Sequence, residues 1–70
     1  MSTATPTRPG LSRTVSSMRL AVAKRGMDRA ERLQDVIDIK NKTKALGLLP
    51  ADLDSLRAEF TRAVARFRQP

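Results

Sequence analysis

The sequence predicts an all-α fold centred on an antiparallel helical hairpin, with helices at about residues 28–46 and 50–68. In both segments the apolar residues recur at helical spacing, in a narrow stripe in the last segment and over a wide arc in the middle one, which we therefore expect to be the central helix. Between the two segments, the run from Gly47 to Pro50 combines a helix stop with a helix start. A connection this short makes consecutive helices antiparallel neighbours, so we expect the chain to turn back at this corner.

An additional N-terminal amphipathic helix is predicted at about residues 11–25, because four apolar residues of this segment share one face. Ser12 is placed to cap its first turn. The ten residues before it are rich in Ser, Thr, Pro and Gly and include Arg8, which predicts a flexible basic arm. The expected organisation is therefore an arm at residues 1–10 and a single small helical domain at residues 11–70.

The corner itself carries several signals that agree. Gly47 can adopt the left-handed conformation that closes a helix C-terminus. Pro50 has no N–H to donate and a fixed φ, which suits the first turn of a new helix. Asp52 and Asp54 then place negative charge at the positive end of that helix dipole.

The last helix has the narrowest apolar stripe, and the middle helix offers apolar residues to cover it. We expect these two stripes to pack on each other or on a partner. The residues predicted to carry this packing are Leu33, Val36, Ile37, Ile39, Leu53, Leu56, Phe60, Val64 and Phe67.

The junction between the first two helices has two interpretations. Gly26 follows two basic residues and resembles a helix stop, and Asp28 and Glu31 have the spacing of a capping box. The alternative is a helix that continues through Gly26 at a cost of about 1 kcal/mol relative to Ala. The sequence slightly favours a break or kink at Gly26, which gives three helices.

Four carboxylates then follow at helical spacing on one predicted face. A straight row of this kind does not converge on one point, as a hard metal ion requires. We therefore interpret the row as a solvated surface, expect no metal site, and note that it could pair with basic segments. The four residues are Asp28, Glu31, Asp35 and Asp38.

Composition argues against catalysis. The chain of 70 residues contains no His, Cys, Tyr or Trp, so the usual general base and the thiolate nucleophile are missing. No catalytic residue, cofactor or small-molecule substrate is predicted. Since so short a chain without disulfides buries a small core, we expect a protein partner or a homo-oligomer.

The positive charge is concentrated at the N-terminus. The net charge is +7, and the first 25 residues hold five basic residues and no acid. No apolar run is long enough to span a bilayer, and peripheral contact with an anionic membrane is disfavoured as an explanation of the charge. The residues predicted to contact an anionic partner are Arg8, Arg13, Arg19, Lys24, Arg25, Lys40, Lys42 and Lys44.

Together these features favour a non-enzymatic helical interaction protein, a subunit or adaptor of a larger assembly. It would dock through its apolar helix stripes and its basic N-terminal segment, in an intracellular or virion-associated setting. The alternative is a DNA- or RNA-associated regulator that binds the phosphate backbone through the basic segment.

Overall fold

The computed structural model describes residues 11–69, and this part of the chain forms three α-helices. They are α1 (Arg13–Arg29), α2 (Leu33–Leu46) and α3 (Pro50–Arg68). No strand occurs within these residues, so the predicted all-helical class is confirmed. The predicted arm at residues 1–10 lies outside the described residues.

The cap of α1 and the corner between α2 and α3 lie where the sequence places them. The Ser12 Oγ accepts a hydrogen bond of 3.1 Å from the Val15 N–H at the start of α1. Gly47 follows the last residue of α2 with φ of 105°, and Pro50 is the first residue of α3. A positive φ of this size is accessible to glycine and strained for other residues.

The predicted break at Gly26 is wrong, because α1 continues through this residue to Arg29. The predicted ranges 11–25 and 28–46 therefore shift, and α2 begins only at Leu33. Asp28 lies inside α1 and Glu31 lies in the connection, so the two do not form a capping box.

Close packing of α1 against α2 explains why glycine occupies this helical position. A Cβ atom added at Gly26 would lie 2.9 Å from the Ile39 Cδ1 atom, closer than carbon atoms pack. The next residue, Met27, is 1% exposed and belongs to the core. Burial of Met27 thus holds the helix together beyond Gly26, and the glycine lets the two backbones approach.

The core is small and receives residues from all three helices. Its partly buried surroundings include both phenylalanines, Phe60 and Phe67. None of the described helices is both long and apolar enough to cross a membrane. The buried apolar residues are Ala23, Met27, Val36, Leu56 and Ala63.

A double-mutant cycle tests the contact between Gly26 and Ile39. Ile39→Val removes the Cδ1 atom, after which the nearest remaining side-chain atom lies 3.6 Å from a Cβ at position 26. We expect Gly26→Ala to raise the free energy of unfolding by about 1 kcal/mol in the Ile39→Val background, from helix propensity, and by less in the parent. Urea denaturation followed by circular dichroism measures both differences. Equal effects in the two backgrounds would show that the methyl group added at position 26 does not contact the Ile39 Cδ1 atom.

Candidate functional site

A buried serine fastens α1 to the corner between α2 and α3. Ser16 is 0% exposed, although it is a polar residue in the interior of a small domain. Its hydroxyl donates to the Asp52 Oδ2 atom at 2.6 Å and accepts the Leu49 N–H at 2.9 Å. Both hydrogen-bonding roles of the hydroxyl are thereby used, which is what a buried polar group requires.

Arg19, one turn further along α1, contacts the same corner. Its Nη1 atom donates to the carbonyl oxygens of Leu46 and Gly47, at 2.7 and 3.1 Å. The last carbonyl groups of a helix have no partner within the helix and carry partial negative charge. The guanidinium satisfies these groups and fixes α1 beside the C-terminal end of α2.

A second arginine closes the other end of the bundle. Arg66 of α3 donates to the carbonyl oxygens of Met27, Asp28 and Ala30 at 3.1 to 3.3 Å. These carbonyls lie at the end of α1, where no glycine stop exists. The end of α1 is therefore stabilised by a residue 36 to 39 positions away in the sequence.

Between α1 and α2, these contacts leave an open apolar groove of about 520 Å³. Three of its side chains are mostly in solvent: Met18 is 61% exposed, Val22 is 66% exposed and Leu46 is 55% exposed. Val15, Ala23 and Ile39 complete the apolar lining. The charged residues that line the groove are both cationic, Arg19 and Lys42. Solvent exposure of several large apolar side chains in one concave surface is typical of a binding site.

A second, more polar depression lies beside the connection between α1 and α2. It shares Gly26, Ile39 and Lys42 with the lining of the groove. This depression is lined by charges of both signs, among them Arg29 and Asp35.

The residues predicted for packing divide into three groups in the structure. Val36 and Leu56 are fully buried. Leu33 and Ile37 are half-buried and lie outside the core cluster. The remaining five predicted residues are partly buried and pack against the core: Ile39, Leu53, Phe60, Val64 and Phe67.

Several of the bases predicted to contact an anionic partner have contacts within the chain. Arg19 binds the corner carbonyls, the Lys24 Nζ lies 3.8 Å from the Glu59 Oε2, and the Lys40 Nζ lies 4.9 Å from the centre of the Phe60 ring. Arg8 lies outside the described residues. The others are exposed on the surface of α1 or α2: Arg13, Arg25, Lys42 and Lys44.

The predicted acidic row is divided by the break between helices. Asp28 belongs to α1, Glu31 to the connection, and Asp35 and Asp38 to α2, so the four do not lie on one helix. Within residues 11–69 no group of three or more acidic side chains is arranged to hold a metal ion.

Sequence reasoning missed the two polar junctions and the exposure of the groove. Ser16 and Arg66 carry no local signal for their roles, because their partners lie more than thirty residues away. Met18 and Val22 did give a signal, since they share the predicted apolar face of the first helix. The sequence did not show that this face would remain uncovered.

No protein-family model matches this chain, and the searches against curated proteins and solved structures gave no significant match.

A pair of serines tests the corner junction. Ser16→Ala leaves the Leu49 N–H and the Asp52 carboxylate without their partner, so we expect the free energy of unfolding to fall by about 1–3 kcal/mol. The adjacent Ser17 is exposed, and Ser17→Ala should change it by less than about 0.5 kcal/mol. Urea melts of the two variants provide the comparison. Equal stability of both variants would be incompatible with the junction.

A pair of arginines tests the cap on α1. Arg66→Ala should lower the free energy of unfolding by about 1 kcal/mol. Arg66→Lys should restore little of this loss, because an ammonium group lacks the planar fork that reaches several carbonyls at once. The control is Arg62→Ala, which removes an exposed contact of 3.6 Å to Glu59 and should cost less than about 0.5 kcal/mol. Hydrogen exchange of the amides near Met27 should accelerate in the Arg66 variants alone.

Proposed function

We propose that this chain is a small, non-enzymatic helical interaction protein, a subunit or adaptor of an intracellular or virion-associated assembly. The observation that carries the proposal is the groove between α1 and α2, with Met18, Val22 and Leu46 each more than half exposed. Covering apolar surface of this kind contributes about 25 cal/mol for each Å² removed from water. A protein partner that fills the groove supplies that cover.

The arrangement of the helices determines which surface is free to dock. We take α2 and α3 to be an antiparallel hairpin whose facing stripes pack on each other, as expected from the sequence. In support, Val36 of α2 and Leu56 of α3 are each 0% exposed within one core cluster. The α3 stripe is thereby used inside the domain, which leaves the outer face of α1 and its groove with α2 for the partner.

The size of the core also supports a role in an assembly. Two of the five buried apolar residues are alanines, so little large apolar surface is removed from water within the domain. Small domains without disulfides often obtain additional stability from association. A docked partner would bury the three exposed side chains of the groove and add to the stability of the fold.

The alternative function is binding of DNA or RNA backbone phosphates through the basic N-terminal segment. The net charge of +7 and the exposed Arg13 and Arg25 favour it. The contacts of Arg19, Lys24 and Lys40 within the chain weigh against it, because these cations already have partners. Phosphate binding would show an affinity that falls steeply with salt concentration.

Site-specific crosslinking tests the docking surface. A photoreactive amino acid at Val22, introduced into the full chain in the cells that produce it, should give a product of one defined mass that mass spectrometry identifies as a protein. The same group at Ala58, an exposed position on α3, should not. Apolar docking predicts that the yield of this product stays the same when the extract is brought to high salt before irradiation.

Two outcomes would contradict the proposal. One is equal crosslinking from positions 22 and 58, which would show that the groove is not the docking surface. The other is a product at Val22 that contains nucleic acid and no longer forms when the extract is irradiated at high salt, which would favour the phosphate-binding alternative.

A further inference from the structure

We infer that the occupant of the groove is an acidic amphipathic α-helix of a partner protein. This inference rests on the proposed function and adds the chemistry of the partner to it. Three properties of the groove support it: the shape given by its two helical walls, the length over which it is apolar, and the sign of the charges along it.

The shape fits a helix. The walls are α1 from Val15 to Gly26 and α2 from Ile39 to Leu46. Twelve residues of α1 at 1.5 Å per residue correspond to about 18 Å, or a little more than three turns of a docked helix. A helix that lies in a groove of this kind places apolar anchors at i, i+3 or i+4, and i+7. The partner segment therefore needs about three anchors on one face.

The charge fits carboxylates beside those anchors. Arg19 and Lys42 are the charged residues that line the apolar groove, and both are cations. Because Arg19 already donates to the Leu46 and Gly47 carbonyl oxygens, Lys42 is the cation left for a carboxylate of the partner. The ion pairs among residues 11–69 involve other bases, so the Lys42 ammonium has no carboxylate within 4.0 Å in the described structure. A glutamate on the flank of the docked helix would meet Lys42, whereas a lysine there would be repelled.

Two other occupants fit less well. A second copy of this chain also carries a net charge of +7, and a two-fold contact through the same surface would bring like-charged domains together. The first ten residues of the chain contain only Met1 as a large apolar residue. That segment therefore lacks the three anchors that the groove requires.

A peptide display selection tests the inference even while the partner protein is unidentified. The library holds peptides of about 14 residues with large apolar residues at i, i+3 or i+4, and i+7, and with Glu, Gln or Lys at each flanking position. The target is the full chain at about 0.15 M salt. We expect enrichment of Glu over Lys beside the anchors. The selected peptides should bind at least about tenfold more weakly to the Val22→Asp variant, which places a charge in the groove.

A matched pair of charge reversals assigns the preference to Lys42. Lys42→Glu should shift the selected flanks from Glu towards Lys. Lys44→Glu introduces the same change at an exposed position of the same helix that does not line the groove, and it should leave the preference unchanged. Circular dichroism confirms that each variant remains helical before selection.

The outcomes separate the inference from the proposed function. Enrichment of apolar anchors without a charge preference, or equal effects of the two reversals, would overturn the acidic partner and leave groove docking in place. No enrichment of anchors, or no effect of Val22→Asp, would overturn both. A Val22-dependent dimer in light scattering would assign the groove to a second copy. Val22-dependent binding to phosphatidylserine vesicles, with no peptide enriched, would assign it to a membrane. Either result would also overturn the inference.

Discussion

The arrangement of this domain depends on the hydrogen bonds of the buried Ser16 hydroxyl. This hydroxyl joins α1 to the corner between α2 and α3 through one donated and one accepted hydrogen bond, to Asp52 and from Leu49. A polar group with no exposure is stable only in the geometry that satisfies it, because an unpaired group would carry the full cost of its desolvation. The junction therefore specifies one position of α1 along the other two helices.

The opposite end of α1 is held by a different interaction with the same consequence. Arg66 donates to carbonyl groups of Met27, Asp28 and Ala30 and thereby completes the end of the helix. Between these two ends, Gly26 permits α1 to approach Ile39 of α2. Gly26 and Ile39 also line the groove between these two helices, in which Met18, Val22 and Leu46 are left uncovered. Stability and the candidate binding surface thus arise from the same placement of α1.

Charge has two different uses in this chain. Some of the bases are structural, since Arg19 and Arg66 donate to carbonyl groups at helix ends. Others, such as Lys42, face solvent beside apolar side chains and have no ion-pair partner in the described structure. Net charge alone therefore says little about the partner. The position of each base relative to the groove is more informative, because only charges at the docking surface affect the choice of an occupant.

The sequence by itself determined the helical class and the corner, because these depend on local chemistry. Apolar spacing, the positive φ available to Gly47 and the fixed φ of Pro50 act within a few residues of each other. The end of α1 and the exposure of Met18 and Val22 were decided only by the tertiary structure. Gly26 has the local features of a helix stop, but burial of Met27 and the contacts of Arg66 outweigh them, and those contacts join residues far apart in the chain. Whether an apolar face is covered depends likewise on how the other helices pack against it, and the sequence of one helix does not contain that information.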